Sequence, residues 1–589
     1  MNKLVISIIS IFLLTNIIHA QSTGNEWTTL FEKSNYLSTP RYEGSMDYFR
    51  KFAKASPYVK MFSIGKSPQG RDINCVMVSK DKAFTAKRAK AVKKPIVLMI
   101  NGIHSGEIEG KDACMLLLRD ILITKKQEKF LDSAILMVIP IFSVDGHERF
   151  GKNNRINQNG PEEMGWRTTA QNLNLNRDWL KADAPEMQAL IKLIAEYEPD
   201  FTIDSHTTDG ADYQYTVSYG IEKFANIYEG TGNYIRNEFI PFMEKRVNEK
   251  GYFIAPYVNF KDDEPKSGLV DGPATPRFST GYAAARNRIG LLIETHMLKP
   301  YKERVFATKA VIETVLEMVN ANASRLLAMD KEADINSVKN LCEDKTPMPI
   351  QFRYTDKYSK FLFRGLKYYY DSSTISGGKK TVYTKEKFEE EIPYYNVVLP
   401  GDSIILPYAY LIPAEWQSVT ERMKLHGIDV KQTKDNMSLA VTKYKFKDVI
   451  FSSAPYEGRQ SVNYKYDTFK DTVSIPKGTY YILTNQKTVK LIAHSLEPKS
   501  GDSFLKWGFM NATFERKEYF ENYVMERIAL EMLKDNPKLK EEFEEKLKND
   551  SKFRDSQNAR LNFFYERSPY FDRMQNMYPV MRVEEAVRF

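Results

Sequence analysis

Hydrophobic residues recur in two different patterns along this chain, one on each side of about residue 340. In the first part, short apolar runs alternate with stretches of helical spacing. The apolar runs predict buried strands at residues 96–100, 134–141, 200–204 and 288–293, and the other stretches predict helices at 108–124, 186–197 and 301–329. Strands that alternate with helices indicate an α/β domain, in which a mixed, largely parallel sheet carries helices on both faces.

The second part has short β-branched or aromatic segments bounded by Pro or Gly. They predict strands at residues 396–399, 403–406, 444–451 and 478–484. This pattern is typical of a β-rich domain, with a sandwich as one arrangement. A helix at 414–426 interrupts it, and residues 518–547 predict two charged helices broken near Asn536-Pro537. We therefore predict an α/β domain over residues 21–335, a β-rich domain over 345–500 and a mainly helical segment over 501–589.

The first 20 residues have the features of a secretory signal peptide. Lys3 is followed by a largely apolar stretch, and Ile18-His-Ala20 provides a cleavage site before Gln21. We therefore expect export, to the periplasm or outside the cell. No later apolar run reaches the length of a membrane span, so we expect none. Three cysteines, Cys75, Cys114 and Cys342, are too few for a disulfide framework.

Composition and charge indicate a globular protein that does not bind nucleic acid. A chain with 42% hydrophobic and 27% charged residues is typical of globular proteins, and a net charge of +9 is modest for 589 residues. The densest basic run, residues 80–94, contains one aromatic residue, Phe84. Because nucleic-acid surfaces combine basic with aromatic side chains, this run predicts a solvated helix or loop, and we expect no nucleic-acid partner.

A histidine and a glutamate three residues apart follow the first predicted strand, in Asn101-Gly-Ile-His-Ser-Gly-Glu107. The imidazole of His104 and the carboxylate of Glu107 suit zinc. The alternative is a polar turn with Glu107 in the first turn of a helix, where its charge suits the helix dipole. His206 also ends a strand and is the candidate third ligand; alternatively it is a loop histidine paired with Asp204 or Asp209.

Glu294 closes the last apolar strand of the first domain. An ionised carboxylate at the end of a buried strand requires a partner or a cation. Beside a zinc-activated water, Glu294 could accept a proton and later pass it to a leaving amine. His296 competes as a ligand only if the strand continues to it.

Arg167 and the pair Asn176-Arg177 lie between the two candidate histidine ligands. Arginine holds a planar carboxylate through two parallel hydrogen bonds, and a neighbouring amide can add a third. Asn176 and Arg177 therefore suit the terminal carboxylate of a peptide, and Arg167 suits the oxyanion of a tetrahedral intermediate. The alternative for each arginine is an ion pair with a surface acid.

The order His-x-x-Glu, Trp-Arg, Asn-Arg, His, Glu resembles the zinc carboxypeptidase family, over about residues 40–330. The resemblance implies one zinc ion, bound by His104, Glu107 and His206. It also implies that Glu294 is the general base of peptide hydrolysis.

The same resemblance assigns the remaining polar residues to the substrate. Arg167 would stabilise the oxyanion, and Asn176 with Arg177 would bind the C-terminal carboxylate. The family's mobile tyrosine has no clear counterpart, and Tyr282 is the candidate in the right interval. Two further departures are Gly106, where many digestive members carry a substrate-contacting arginine, and Asn174, where many members carry an acid that orients the first zinc histidine.

The sequence thus predicts an exported zinc carboxypeptidase that acts on the C-termini of peptides or proteins. One alternative is a zinc amidase or deacylase that uses the same ligands on cell-wall or acylated amino-acid substrates. The other is a noncatalytic peptide-binding protein that retained the fold. Capture of a carboxylate by Asn176 and Arg177 predicts that peptides with amidated C-termini are poor substrates.

Overall fold

The structure is a computed structural model that describes residues 26–208 and 210–589. The predicted signal peptide at residues 1–20 and the candidate partner Asp209 lie outside the described residues. In the part that the structure describes, no helix is both long and apolar enough to cross a membrane.

The first part of the chain is built on an eight-stranded sheet with the order β1-β2-β4-β3-β5-β9-β6-β7. Its strands, together with the short separate β8, are β1 (Val59–Lys66), β2 (Asp72–Val78), β3 (Ile96–Asn101), β4 (Ile135–Ile139), β5 (Phe201–Thr208), β6 (Val217–Ile221), β7 (Ile254–Pro256), β8 (Leu269–Val270) and β9 (Ile289–His296). The central strands β4, β3, β5 and β9 are parallel, whereas β2 and β6 run antiparallel to their central neighbours. The sheet is therefore mixed and largely parallel, as predicted.

Helices pack on this sheet and bury it. They are α1 (Leu30–Lys33), α2 (Tyr42–Ala55), α3 (Ala86–Ala91), α4 (Glu109–Leu122), α5 (Val144–Glu148), α6 (Pro185–Tyr197), α7 (Glu229–Tyr234), α8 (Ile240–Glu249), α9 (Ser279–Ala285) and α10 (Tyr301–Val338). Every residue of β3 and β4 is buried, which requires cover on both faces of the sheet. The α/β fold class is confirmed, and the basic run contains the short, mostly exposed helix α3.

The rest of the chain is rich in β-structure. Its strands are β10 (Met348–Pro349), β11 (Phe352–Tyr354), β12 (Ser359–Ser372), β13 (Lys379–Tyr395), β14 (Val398–Pro400), β15 (Ser403–Ile404), β16 (Ala409–Ile412), β17 (Lys431–Gln432), β18 (Met437–Phe451), β19 (Val462–Ile475), β20 (Tyr480–Leu483) and β21 (Met581–Val583). Six of them form an antiparallel sheet, β17-β20-β16-β21-β18-β19. The predicted mainly helical segment contributes β21 to this sheet.

The long hairpin β12-β13 belongs to a separate sheet and does not pair with the six-stranded sheet. It pairs with β8 instead, at Tyr394 opposite Leu269, and shares a separate core with Tyr213 and Tyr215 of the α/β part. The hairpin buries its apolar side on the α/β part because these tyrosines provide the complementary surface.

The helices of this second part are α11 (Gln417–Leu425), α12 (Val489–Leu496), α13 (Asn522–Asp535), α14 (Pro537–Asn549), α15 (Ser551–Arg554) and α16 (Gln557–Tyr565). The break between α13 and α14 falls at Asn536, as predicted, whereas α12 was not predicted. Helix α11 packs on α6, and buried residues such as Ile412 and Leu491 belong to the same core cluster as Leu190. The β-rich part therefore packs directly against the α/β part.

Candidate active site

Three neighbouring parallel strands bring the predicted metal ligands together. Asn101 at the end of β3 pairs with Ser205 of β5, and His206 of β5 pairs with Glu294 of β9. His104 lies three residues beyond β3. In parallel sheets, loops and side chains at the carboxyl ends of the strands form binding sites. Here this edge collects one imidazole after β3, one imidazole in β5 and one carboxylate in β9.

His104, Glu107 and His206 form the candidate metal site. Suitable ligand atoms of these buried residues all lie within 4.8 Å of one another. Nδ1 of His104 is 3.1 Å from Oε1 of Glu107, and Nδ1 of His206 is 3.0 Å from Oε2 of the same carboxylate. Two imidazoles and one carboxylate are a ligand set of catalytic zinc sites. The residues present therefore fit a zinc ion.

The other ring nitrogens of the two histidines are held by neighbouring side chains. Nε2 of His104 is 3.0 Å from Oδ1 of Asn174, and Nε2 of His206 is 3.0 Å from Oδ2 of Asp204. Each imidazole thus directs Nδ1 toward Glu107. For His104, an Nε2–H donated to Asn174 fixes the tautomer that leaves Nδ1 free to ligate, whereas the contact of His206 with Asp204 is an ion pair without hydrogen-bond geometry. Asn174 occupies this role with an amide oxygen, at a position where the resemblance expects an acid.

The electrostatics of this cluster favour a bound cation. Although burial opposes the effect, the charges of His104 and Arg155 hold the pKa of Glu107 well below its usual range. Burial lowers the pKa of His206, but the carboxylates of Asp204 and Glu107 together raise that pKa well above its usual value. A histidine that binds a proton so readily lies in a strongly negative potential, which also attracts a metal ion.

Glu294 lies beside His206 on the neighbouring strand and faces the same cavity. Its side chain is almost completely buried, and this burial, reinforced by the nearby charge of Glu107, raises the pKa of Glu294 to about 8. A carboxyl group with a pKa near neutrality can both accept and donate a proton, as a general acid–base group must.

The cavity above these residues has a volume of about 500 Å³. Its lining residues are His104, Glu107, Asn154, Arg155, Ile156, Asn157, Gln158, Trp166, Arg167, Asn176, Arg177, His206, Thr207, Thr208, Tyr257, Glu294 and Met297. Seven of the eight site residues predicted from the sequence are among them. The structure thus brings together the candidate metal ligands, Glu294 and both arginine positions.

The eighth predicted residue, Tyr282, lies elsewhere. Its side chain in α9 is fully buried, and its hydroxyl is 2.9 Å from Nδ1 of His426, which belongs to the β-rich part. The ring also packs against Trp179. Tyr282 therefore does not reach the cavity, because its position in α9 directs it into the contact between the two parts of the chain.

The arginines are placed for ligand binding more than for surface ion pairs. Arg177 stacks on the ring of Phe278 at 4.6 Å, donates to its neighbour's carbonyl, and forms no ion pair with any described carboxylate. Arg167 is 44% exposed, and among the described residues its ion-pair partner is Glu107, at 3.4 Å. Within residues 26–208 and 210–589, neither arginine therefore has the surface acid that the alternative interpretation requires.

Arg155 is a cavity residue that the sequence did not reveal. Its Nη2 lies 2.7 Å from Oε1 of Glu107. The side chain crosses Gly106, where an added Cβ would lie 2.6 Å from Cγ of Arg155. The only sequence signal was the glycine itself, which leaves room for a side chain from elsewhere.

Tyr257 and His296 complete the description of the site. Tyr257 lines the cavity, and its hydroxyl is 3.0 Å from Oγ1 of Thr208. Strand β9 does continue to His296, but Nε2 of this histidine is 3.5 Å from Oδ1 of Asp212 and its ring packs on Tyr213. His296 is therefore held by other groups and does not join the three ligands.

The chain is similar in sequence to known carboxypeptidases. The sequence model of the family described as "Zinc carboxypeptidase" matches residues 46–227. Carboxypeptidase 2 of Trichophyton rubrum is 23% identical over 502 residues, which cover 81% of this chain and 85% of the relative. Carboxypeptidase 2 of Trichophyton equinum is also 23% identical, with 81% of this chain and 85% of that protein covered. Both alignments necessarily extend into the β-rich part.

Solved structures with some likeness to this chain include a metallo-carboxypeptidase from Burkholderia cenocepacia. It is 17% identical, with a TM-score of 0.37 and coverage of 48% of this chain and 70% of that chain. The carboxypeptidase A of Helicoverpa armigera is 18% identical, with a TM-score of 0.36 and coverage of 49% and 73%.

A mixed α/β sheet with a buried two-histidine, one-glutamate site at its carboxyl edge defines the class of zinc metallohydrolases. Within this class, the family match narrows the group. Residues 46–227 match the zinc carboxypeptidase family, and the relatives reported above are carboxypeptidases, which supports a metallopeptidase.

Proposed function

We propose that this protein is an exported, zinc-dependent carboxypeptidase that removes residues from the C-termini of peptides. The observation that carries the proposal is the composition of one cavity: it holds the three candidate zinc ligands, the buried acid Glu294 and the pair Asn176-Arg177. We further propose that His104, Glu107 and His206 hold a single zinc ion. The chemistry that bound zinc supplies is Lewis acidity, which favours attack of water on an amide carbonyl.

The side chains of the cavity perform the remaining steps. Asn176 and Arg177 hold the terminal carboxylate, so that the last peptide bond lies above the metal ligands. Glu294 accepts a proton from the attacking water and then donates it to the leaving amine as the C–N bond breaks. Arg167, which lies beside Glu107, stabilises the negative charge that develops on the carbonyl oxygen.

A zinc amidase or deacylase would use the same ligands and the same acid. Asn176 and Arg177 favour the carboxypeptidase, because the guanidinium of Arg177 has no carboxylate partner in the part of the chain that the structure describes and so provides a binding site for a free carboxylate. The alternative of a noncatalytic binding protein is less well supported, since such a protein has no need of a buried general acid–base group beside the metal ligands.

The first test replaces Glu294 by Gln. We expect the variant to bind one zinc ion per chain and to lose hydrolysis by about 10³-fold or more, because the proton acceptor is removed. Zinc content and steady-state peptide hydrolysis are the measurements. Glu222→Gln is the matched control, since Glu222 is equally buried but lies outside the cavity and bonds Thr280 and Asn226. Turnover at the wild-type rate in Glu294→Gln would refute the role of this residue.

The second test compares free and amidated C-termini on one peptide sequence. Carboxylate capture predicts that amidation lowers kcat/KM by about 100-fold, the size expected when a charge-assisted bidentate contact is lost. Equal turnover of the two peptides would instead favour the amidase or deacylase. Export is tested separately, by sequencing the mature N-terminus, which we expect at Gln21.

A further inference from the structure

The β-rich part of the chain contacts the substrate-binding segment directly. We define this segment as residues 174–177, which include Asn176 and Arg177. Three side chains of the β-rich part, Glu457, Arg459 and Asp502, hold the segment or its immediate support. We propose that these three are positioning residues of the active site, so that the β-rich part is a component of the peptidase. This inference rests on the proposed function of residues 174–177.

Glu457 fixes the beginning of the segment. Its Oε2 accepts a hydrogen bond from the backbone N–H of Asn174 at 3.2 Å. The side chain of Asn174 then acts in two directions: Oδ1 is 3.0 Å from Nε2 of His104 and accepts the backbone N–H of Asn176, also at 3.0 Å. Glu457 therefore fixes the residue that orients both a candidate metal ligand and a candidate substrate ligand.

Arg459 fixes the end of the segment through a network of partly buried charges. Its Nε and Nη2 bind the two carboxylate oxygens of Asp183 at 2.9 and 2.6 Å. Asp183 also accepts from Lys181, which donates to Asp178, the residue directly after Arg177. Asp178 and Lys181 are buried.

Arg459 makes the shortest contacts of this network with Asp183. Asp183 also contacts Lys181 at 3.0 Å and, at a longer distance of 3.8 Å, Arg422. Removal of Arg459 takes away both hydrogen bonds that the guanidinium donates to the partly buried carboxylate of Asp183, and a carboxylate that loses its hydrogen-bond partners drives local rearrangement. The segment that would move carries Arg177.

Asp502 fixes the surface on which Arg177 stacks. Its carboxylate accepts from the backbone N–H of Arg277 at 2.9 Å and from Nε of the same residue at 2.6 Å. The next residue, Phe278, forms the flat surface under the guanidinium of Arg177. Asp502 is itself buried, so this contact is shielded from solvent.

The turn that carries Glu457 and Arg459 is rigid. Tyr456 and Arg459 exchange two backbone hydrogen bonds of 2.8 and 3.0 Å across it. Gly458 at its apex has a φ of +75°, and an added Cβ there would lie 3.0 Å from Leu173. The guanidinium of Arg459 also lies over Phe509, at 3.7 Å. A turn fixed in this way can position residues 174–177 instead of following their movement.

The test measures Arg459→Ala in the full-length chain. We expect KM for a free-acid peptide to rise about 10-fold while kcat changes less than about 3-fold, because the change affects placement of the terminal carboxylate and not Glu294. The ratio of kcat/KM for free-acid over amidated peptide should fall by a similar factor. Arg459→Lys should recover part of the loss, since it restores the charge without the bidentate contact.

Glu457→Ala supplies a measurement that does not depend on activity. Through Asn174 and His104, this change should weaken zinc binding by about 10-fold, as measured with a metal buffer, whereas Glu457→Gln should retain tight binding because its amide oxygen still accepts. This variant also keeps the inference testable if Arg459→Ala does not fold. The matched control is Arg364→Ala, an arginine of the same part of the chain that pairs with Glu389 at 2.9 Å on the hairpin.

The inference is overturned if Arg459→Ala behaves as Arg364→Ala in KM and substrate ratio, or if Glu457→Ala binds zinc as the wild type does. These outcomes differ from failure of the proposed function. If the wild-type protein hydrolyses no peptide, or does not distinguish acid from amide, the proposed function fails, and the zinc affinity of Glu457→Ala still decides the positioning role.

Discussion

Replacing Arg304 by Met should destabilise the α/β part more than any exposed arginine substitution. Arg304 lies in the first turn of α10 and is fully buried. Its Nε donates to Oε1 of Glu109 at 2.7 Å, and its two other nitrogens donate to four backbone carbonyls, those of Asn159, Gly160, Met297 and Lys299. Methionine has a similar length but can provide none of these hydrogen bonds.

The expected loss of stability comes from the buried polar groups that no longer have Arg304 as a partner. Glu109 is 1% exposed, and without Arg304 its carboxylate has lost its buried counter-charge. Breaking a buried ion pair from one side costs about 3–5 kcal/mol, and each carbonyl that water cannot reach adds about 1–3 kcal/mol. We therefore expect a loss of at least about 4 kcal/mol in the free energy of unfolding. Adding Glu109→Gln should restore part of it, because the unpaired charge is then absent.

Urea denaturation followed by circular dichroism measures this loss. The matched control is Arg325→Met, because Arg325 binds Glu238 through two contacts of 2.6 Å but is about half exposed. Exposed pairs contribute about 0.2–1 kcal/mol. If Arg304→Met costs no more than Arg325→Met, the reasoning from burial is refuted. Peptide hydrolysis should fall as well, since Met297 lines the cavity.

Two further predictions concern single side chains. Burial raises the pKa of Glu186 from 4.5 to about 7. Ionisation of this buried carboxyl therefore lowers the free energy of unfolding as the pH rises between these values, by about 3 kcal/mol at pH 8. Glu186→Gln should therefore raise the urea midpoint at pH 8 and have little effect at pH 4; an equal effect at both would contradict this assignment. Tyr282→Phe should cost about 1 kcal/mol through loss of its contact with His426 and leave KM unchanged, whereas Tyr257→Phe should lower kcat/KM. Steady-state kinetics of both variants measure these effects. If Tyr282 contacts substrate, Tyr282→Phe will lower kcat/KM more than Tyr257→Phe does.

Through its contacts with residues 174–177 and their support, the β-rich part positions the residues that we propose to bind substrate. A peptidase whose carboxylate-binding residues depend on Glu457 and Arg459 should lose substrate discrimination when that part is perturbed, even though no residue of it lines the cavity.

The sequence by itself determined the α/β architecture and the positions of the candidate ligands. Apolar runs such as residues 96–100 specify buried strands. A polar residue at the end of such a run must lie at the edge of the sheet. Parallel strands place their carboxyl ends at one edge of the sheet. The sequence therefore predicts that His104 and Glu107 lie close to His206 and Glu294, although it shows no contact between them.

Only the tertiary structure decided which side chains from distant parts of the chain complete this site. Arg155 reaches Glu107 across Gly106, and Tyr282, which the sequence placed near substrate, is bound to His426 instead. Glu457 contacts Asn174 across 283 residues. Local hydrophobic patterns specify the elements and their buried faces, whereas contacts of this kind depend on how finished elements pack. The local sequence around one residue does not specify the distant residue that it contacts, so these contacts are determined by tertiary packing.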